Sequence, residues 1–215
     1  MWTSHIASNM NFPAPLAVLA FLGATAGLVL VSASAVVAWF ARKAMFARIA
    51  ITAGGASAVL YAMLLLGFSL ASHPRTLARG EEKYFCEIDC HLAYSVVDIQ
   101  TDPGQGASYV VTLRTRFDET TISPRRPKDA PLSPSPRVVL LMDEKGHEYA
   151  PQAMEGTPLI TPLKPGESFS TRLQFTLPGS AKPARLLVGT APAWEDRVVI
   201  GDENSWLHSK TYFGI

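Results

Sequence analysis

Two long apolar runs constrain this chain more than any other feature. Leu16–Phe40 has 25 residues, Ile49–Ala71 has 23 residues, and neither run contains a charged side chain. A helix needs roughly 20 apolar residues to cross the hydrocarbon core of a bilayer. A buried helix of a soluble protein is the alternative, but neither run has a polar face to present to water. We therefore predict a transmembrane hairpin with helices at 16–40 and 49–71.

A cleaved signal peptide is a second interpretation of the first run. Ala33-Ser34-Ala35 is typical of a small-residue cleavage site. However, no Lys or Arg precedes the run, and the run is longer than the apolar core of a signal peptide, which is about 7–15 residues. We expect the first helix to stay uncleaved. Small residues at a spacing of four, Gly23 with Gly27 and Gly54 with Ala58, suit close helix packing but are also frequent in membrane spans.

The basic residues predict the orientation of the hairpin. Arg42, Lys43 and Arg48 lie between the two runs, whereas the segment 1–15 has no Lys or Arg. Positive residues stay on the cytoplasmic side, so we expect the turn inside and both termini outside. A group of basic residues soon after the second run, which includes Arg75 and Lys83, points the other way.

The rest of the chain has a different composition. Residues 81–215 hold 14 basic and 18 acidic residues, a net charge of −4, while residues 1–80 have no acidic residue. The mild acidity argues against nucleic-acid binding, and the size of this part is that of one domain with a core of its own. We predict an outer segment at 1–15, the hairpin at 16–71, a linker at 72–83 and an extracytoplasmic domain at 84–215.

Short strands separated by turns predict the fold of this domain. Ala107–Phe117 and Ser168–Leu177 alternate apolar and polar residues with period two, which is typical of a strand with one wet face. The other predicted strands are 92–100, 137–143, 147–150, 184–189 and 197–200. We count about seven or eight strands and no convincing helix, which predicts an all-β, antiparallel sandwich.

The segment Asp118–Pro136 interrupts this pattern with five prolines and three basic residues. No central strand tolerates that density of proline, so we predict a long exposed loop. It either docks an acidic partner or lipid headgroups, or it is a solvated connection, which we favour.

The second half of the domain contains three short motifs: the turn Leu163-Lys164-Pro165-Gly166-Glu167, the strand end Phe175-Thr176-Leu177-Pro178 and the run Leu186-Leu187-Val188. In these motifs it resembles bacterial immunoglobulin-like extracytoplasmic domains. The resemblance covers about residues 107–190 and implies an immunoglobulin-like β-sandwich that acts as a binding or accessory module on the outer face of a bacterial cytoplasmic membrane.

One small cluster could carry chemistry: Cys86, Cys90 and His91. A local disulfide between the two cysteines is the simplest interpretation, because disulfides persist outside the cytoplasm. Thiolates and imidazole also bind copper or zinc, and a thiol pair can exchange with other disulfides. All three interpretations stay open at this point.

The copper interpretation has an architectural resemblance behind it. Two membrane helices followed by an outer β-domain with a Cys-x-x-x-Cys motif are similar to cytochrome c oxidase subunit II, and copper-assembly proteins use the same spacing with a distant His. The present motif departs from the subunit, because it lies at the start of the domain and Tyr94 stands where the family has a His. A copper site here would need remote ligands, for which the candidates are His147, His208, Met142 and Met154.

The run Gly201–His208 places acids, Trp and His within eight residues, and we favour a packed terminal segment over one that brings His208 to the cysteines. No catalytic constellation can be defended from spacing, so a non-enzymatic function is favoured. We expect an accessory or binding module that contacts the lipid bilayer and other membrane subunits. The alternative is a copper-binding or thiol-redox protein associated with respiratory oxidases.

Overall fold

The structure is a computed structural model that describes residues 7–86, 90–102, 107–122, 126–127, 129–179, 181–191 and 193–215. The chain forms two compact units. The sandwich unit comprises Met1–Asn9, Pro74–Pro192 and Lys210–Ile215, and the hairpin unit comprises Met10–His73 and Ala193–Ser209. The expected linker 72–83 contributes a strand of its own to the sandwich unit, at Arg75–Leu77.

The hairpin unit contains the two predicted helices, α1 at Ala14–Phe40 and α2 at Ala44–Leu70. Each is long and apolar enough to cross a membrane. Pro13 and Pro15 flank the start of α1, where a missing backbone N–H costs no hydrogen bond. The two helices are joined by a tight turn in which Arg42 has a positive φ of 57°.

The glycines of the two helices have different surroundings. A Cβ atom added to Gly54 would lie 2.9 Å from Cγ1 of Val31, so α1 and α2 pack closely at Gly54. A Cβ atom added to Gly23 or Gly27 would meet nothing within 4 Å. The predicted role of Gly54 in helix packing is confirmed, whereas Gly23 and Gly27 do not serve the contact between α1 and α2.

The sandwich unit contains two β-sheets. Their strands in chain order are β1 Ala7–Ser8, β2 Arg75–Leu77, β3 Lys83–Phe85, β4 Leu92–Asp102, β5 Ala107–Phe117, β6 Arg137–Asp143, β7 Glu148–Tyr149, β8 Ala153–Gly156, β9 Ser168–Leu177, β10 Pro183–Thr190 and β11 Thr211–Gly214. One sheet has the order β1-β3-β4-β5-β9-β8, and the other has the order β2-β11-β10-β6-β7.

The principal strands follow the immunoglobulin order. In an immunoglobulin constant domain, strands A, B, E and D form one sheet, and C, F and G form the other. Here β4-β5-β9-β8 correspond to A-B-E-D and β11-β10-β6 correspond to G-F-C, with antiparallel pairing throughout. The predicted two-helix, immunoglobulin-like β-sandwich is therefore confirmed by the strand order itself.

The strand pattern also shows where sequence reasoning was wrong. The predicted strand 197–200 lies in a 3-10 turn, Glu195–Val198, and in the residues after it. The short strands β1, β2, β3, β8 and β11 were missed, and the pairs β1–β3 and β2–β11 are parallel, so the sheets are mixed rather than purely antiparallel. Strands of two to four residues are too short to show a period in the sequence.

The sandwich core is built by the alternating strands. Val111, Leu113 and Phe117 of β5 are fully buried, as are Leu173 and Phe175 of β9. Their alternate neighbours Arg114, Arg116 and Gln174 lie on the wet face, as the period-two pattern predicts. Part of the proline-rich loop, at 123–125 and 128, lies outside the described residues.

A buried lysine links the two sheets. Lys83 at the start of β3 has no exposed surface, and its Nζ donates hydrogen bonds to the carbonyl oxygen of Val188 in β10, at 2.6 Å, and of Thr211 in β11, at 3.2 Å. The same nitrogen lies 4.9 Å from the ring centre of Phe85. The Lys83 side chain of the first sheet thus donates to two carbonyl groups of the second sheet. A buried charge needs such partners to offset the free-energy cost of its desolvation.

We predict that Lys83→Met lowers the free energy of unfolding by about 2–4 kcal/mol, because one buried and one partly buried carbonyl oxygen lose their donor. The measurement is thermal and denaturant unfolding of the full chain in detergent micelles, followed by circular dichroism. The matched control is Lys164→Met at an exposed position, for which a change below about 0.5 kcal/mol is expected. Equal stability of both variants would contradict a linking role for Lys83.

Candidate functional site

The predicted chemical cluster begins with a disulfide. Cys86 and Cys90 are bonded to each other directly before β4. Cys86 is buried, and its backbone N–H donates to Oδ1 of Asn9 at 2.7 Å, which fixes the segment against β1. The three residues between the cysteines, 87–89, lie outside the described residues. A bonded sulfur is neither a thiolate ligand nor a nucleophile, so metal binding by these cysteines would first require reduction.

His91 is held in the fold by its own contacts. It is 3% exposed, and its ring stacks on Phe117 at a centroid distance of 5.5 Å. Its Nδ1 lies 2.6 Å from Oγ1 of Thr121, and that hydroxyl donates its single proton to the carbonyl oxygen of Asp118. Nδ1 of His91 therefore carries a proton and donates to Thr121, so this nitrogen is occupied by a structural hydrogen bond.

The remaining proposed ligands have separate surroundings. His208 belongs to the hairpin unit, where its Nδ1 donates to the carbonyl oxygen of Ser209 at 2.7 Å and burial lowers the pKa of its ring. His147 binds Asp143 in the β6–β7 hairpin, Met142 is buried in β6, and Met154 is 65% exposed on β8. Across the part of the chain that the structure describes, no group of three or more His, Cys, Asp or Glu side chains could hold a metal ion.

We predict that neither cysteine of the purified, non-reduced chain reacts with an alkylating reagent, and that both react after reduction. Removal of the disulfide in Cys86→Ser/Cys90→Ser should cost at most about 2 kcal/mol of stability, because the closed loop is short. Alkylation mass spectrometry measures the first quantity and unfolding in micelles the second. Uptake of one Cu(I) or Zn(II) per reduced chain, lost in Cys90→Ser, would instead support the copper interpretation.

A charged network on the wet face of the first sheet was not predicted from the sequence. Arg116 of β5 forms a two-pronged ion pair with Glu82, with Nε and Nη2 at 2.8 and 2.7 Å from the two carboxylate oxygens. Nη2 of Arg116 also lies 3.0 Å from the hydroxyl of Tyr84 and 3.2 Å from Oδ2 of Asp118. Arg114 adds a longer contact to Glu82 at 3.4 Å. The alternation of β5 indicated that both arginines face outward, but nothing in the sequence indicated their partners.

Hydrogen bonds in this network shift the pKa values of its members. The Tyr84 hydroxyl donates to Oδ2 of Asp118 at 2.6 Å, and Thr120 donates to Oδ1 through both its N–H and its hydroxyl. Burial alone would raise the pKa of Asp118, but these donors and Arg116 outweigh it and lower the pKa to about 2. The hydrogen bond from Arg116 lowers the pKa of Glu82, while burial and the Asp118 contact raise the pKa of Tyr84. All of these ionisable groups are bound to one another, which suits a structural role.

We predict that Asp118→Asn lowers the free energy of unfolding at neutral pH by about 2 kcal/mol, the value of a carboxylate whose pKa is lower in the folded than in the unfolded chain. Because the folded pKa is depressed, this contribution is complete above about pH 4 and disappears as the pH falls through about 2. The difference between variant and natural chain should therefore shrink on acidification. The control is Asp98→Asn, at a carboxylate that is 43% exposed and lies 3.9 Å from Arg79. A loss of stability in Asp118→Asn that does not change with pH would contradict the role of the Asp118 charge.

A second polar cluster lies in the turn between β6 and β7. Asp143 is buried and accepts hydrogen bonds from the backbone N–H groups of Lys145 and His147, from the His147 ring and from the Tyr149 hydroxyl. Burial would raise the pKa of Asp143, but these donors lower it to about 2. The cluster borders a shallow, open depression that Glu144 and Lys182 also line. The hydrogen bonds to the Asp143 carboxylate therefore stabilise the turn between β6 and β7.

The run Gly201–His208 belongs to the hairpin unit and not to the sandwich. The backbone N–H of Asn11 donates to the carbonyl oxygen of Gly201 at 2.9 Å, and Met10 forms a β-bridge with Asp202. The prediction of a packed segment is thus confirmed, although it packs within the hairpin unit rather than at the edge of the sandwich.

These observations define a class of protein: an apolar two-helix hairpin combined with an immunoglobulin-like β-sandwich. No family model matches the chain, and no curated protein matches it. The crystal structure of MPT63, a secreted protein from Mycobacterium tuberculosis, is similar to 67% of this chain over 100% of its own length, with 14% identity and a TM-score of 0.43. A similarity at that level supports no inference about function. The resemblance to cytochrome c oxidase subunit II has no support from these comparisons.

Proposed function

We propose that this protein is a membrane-anchored, non-enzymatic binding module that holds an immunoglobulin-like domain on the outer face of a bacterial cytoplasmic membrane, as part of a larger membrane protein complex. The observation that carries the proposal is the combination, in one chain, of an apolar hairpin and a disulfide-containing sandwich. The hairpin supplies the anchor, and the sandwich supplies the surface for a partner.

The surface of the hairpin supports insertion in a bilayer. Large apolar side chains point outward along both helices, with Leu30 67% and Val37 67% exposed on α1, and Ile51 61% and Met63 63% exposed on α2. Exposed apolar surface of this extent is rare on soluble monomers, while lipid accommodates it without cost. Both helices have 27 residues, which corresponds to about 40 Å at 1.5 Å per residue and exceeds the hydrocarbon thickness of about 30 Å.

Two independent features support an outer location of the sandwich. The basic turn that contains Arg42 and Lys43 favours the cytoplasmic side, which leaves the chain before α1 and after α2 outside. A disulfide persists in oxidising compartments and is rare in the cytoplasm. The two arguments use different residues and different physics, and they agree.

The basic residues after α2, which point the other way in the sequence, are part of the folded domain. Lys83 is fully buried, Arg79 pairs with Asp98, and Arg75 lies in β2. The positive-inside rule counts basic residues in short loops, whereas folded domains translocate largely regardless of their charge. These residues therefore weigh little against the proposed orientation.

The proposal is tested by an impermeant, amine-reactive cross-linker applied to intact cells that express the chain. The sandwich exposes Lys145, Lys164 and Lys182, and the turn of the hairpin exposes Lys43. Because the reagent cannot cross the membrane, we expect modification of the three sandwich lysines, no modification of Lys43, and cross-links from the sandwich to a second membrane protein. Mass spectrometry identifies both the modified lysines and the cross-linked partner. The control is the same reaction in permeabilised cells, where Lys43 should also react.

Each result separates one part of the proposal from the others. Modification of Lys43 with protected sandwich lysines would contradict the orientation. Modification of the sandwich without any cross-link to another protein would contradict membership of a complex while leaving the anchor and the orientation in place. The copper or thiol-redox alternative, which needs reduced Cys86 and Cys90, is tested by the alkylation and metal-uptake measurements described above.

A further inference from the structure

The segment Ala193–Ser209, here called the return segment, packs with the helices in the hairpin unit although it follows β10 of the sandwich in the sequence. The hydroxyl of Tyr61 in α2 donates to the carbonyl oxygen of Val198 at 2.7 Å. At the other end of the segment, the backbone N–H of Ser209 donates to Oγ of Ser72 at 2.7 Å. The return segment is therefore fixed along α2 at two points.

These contacts place the return segment beside the last turns of α2. Tyr61 precedes Leu70, the last residue of α2, by nine residues, which corresponds to about 14 Å along the helix axis. In the same part of the hairpin, Leu65 and Ser69 of α2 and Ala17 of α1 are buried. One side of the helices is thus covered by polypeptide in this part of the hairpin, while Met63 and Leu70 of α2 stay exposed, at 63% and 66%.

The polarity of the return segment is inverted relative to that of a soluble loop. Its large apolar side chains point outward, with Trp194 75%, Trp206 57% and Leu207 70% exposed. Two of its polar side chains point inward, with Glu203 3% and Ser205 4% exposed. In water such an arrangement would forgo the free energy gained by burying three large apolar groups.

The backbone conformation at Leu207 adds to this argument. Leu207 has a positive φ of 65°, in a region that residues with a side chain rarely adopt because the Cβ atom is crowded there. Hydrogen bonds of the two residues before Leu207 hold the strained residue in place. Ser205 Oγ donates to the carbonyl oxygen of Val199 at 2.8 Å, and the backbone N–H of Trp206 donates to the carbonyl oxygen of Arg197 at 3.2 Å. The fold thus holds the apolar side chain of Leu207 outward, although contact with water and a positive φ are both unfavourable for this residue.

We propose that the return segment docks on the outer leaflet of the bilayer, with Trp194, Trp206 and Leu207 inserted at the boundary between headgroups and acyl chains. This inference rests on the proposed insertion of the hairpin. Trp suits that boundary, because its ring is apolar and its N–H can bond to a polar headgroup. The occupant of this surface is lipid, because the segment continues the lipid-facing surface of the helices with which it packs.

The charges of the return segment fit a neutral lipid surface. It carries four acidic residues and one basic residue, so no attraction to anionic lipids is expected. Among its charged side chains only Arg197 is exposed, and a long side chain of this kind can extend to the phosphate level. Trp39 lies near the C-terminal end of α1 and is 71% exposed. Exposed tryptophans therefore lie toward both ends of the hairpin unit, as in the aromatic belts of membrane proteins.

The test uses the full chain reconstituted in phosphatidylcholine vesicles, in three variants that each retain Trp39, Trp194 or Trp206 and have the other tryptophans replaced by Phe. The acyl chains are brominated either near the glycerol or near the terminal methyl group, and bromine quenches tryptophan fluorescence on contact. We expect Trp194 and Trp206 to be quenched more strongly by the shallow bromines than by the deep ones, and their emission to be blue-shifted relative to the unfolded chain. Trp39 reports on insertion of the hairpin independently.

A second set of variants removes the apolar side chains. Leu207→Asn, combined with Trp206→Gln, retains a residue that tolerates positive φ and should reduce the shallow quenching of Trp194 about twofold, because interfacial binding scales with the buried apolar area. The matched control is Met154→Gln in the sandwich, which replaces an equally exposed apolar residue and should leave the quenching unchanged.

The outcomes distinguish this inference from the proposal on which it rests. Quenching of Trp39 without quenching of Trp194 and Trp206 would overturn lipid docking while the anchor stands, and the exposed residues would then belong to a protein interface. Absence of quenching for all three tryptophans would overturn insertion of the hairpin itself. Equal quenching of Trp194 by shallow and deep bromines, unchanged in the Leu207→Asn and Trp206→Gln variant, would also contradict docking at the headgroup boundary.

Discussion

The joining of the two sheets of the sandwich depends on the hydrogen bonds that Lys83 donates to Val188 and Thr211. The chain leaves the sandwich after β10 and returns to it at β11, and the Lys83 ammonium group binds a carbonyl oxygen on each of these strands. Between the two strands lie the 20 residues from Ala191 to Lys210, and the closure of such a loop costs entropy. The buried ammonium group of Lys83 therefore joins the two sheets and fixes the strands at both ends of the segment from Ala191 to Lys210.

Short strands of the sandwich unit lie next to two of the points at which the chain crosses between the two units. The chain crosses between the two units after Asn9 and after His73, and a short strand of the sandwich lies next to each crossing: β1 pairs with β3, and β2 pairs with β11. Both of these pairs are parallel, and parallel partners need a long connection between them. The helices supply that connection between β1 and β3, which explains how strands of two or three residues occupy the edges of an otherwise antiparallel sandwich.

Period-two alternation made much of the sandwich predictable. The bounds of β5 and β9 agree with the sequence-based prediction, because a strand with one buried face shows its phase in every second residue. The bounds of β6 agree as well, but there the signal was a continuous apolar run. Lys83 could not be predicted as a buried residue, because a single lysine in a three-residue strand shows no phase. Nor could the partners of Arg116, because a pattern along one strand contains no information about the loop that delivers Asp118.

The wrong strand prediction at 197–200 has a physical cause that bears on the rest of the molecule. Val198, Val199 and Ile200 form a β-branched run, and in a β-domain such a run favours a strand. Here Ile200 is buried within the hairpin unit, and the carbonyl oxygen of Val198 accepts from a helix side chain instead of a neighbouring strand. Local propensity could not distinguish these two surroundings, because both reward apolar, β-branched residues. The exposed tryptophans on either side of the run, Trp194 and Trp206, do distinguish the two surroundings. Exposing these rings to water at the edge of a soluble sandwich brings no stabilisation, whereas at a membrane boundary the rings contact lipid.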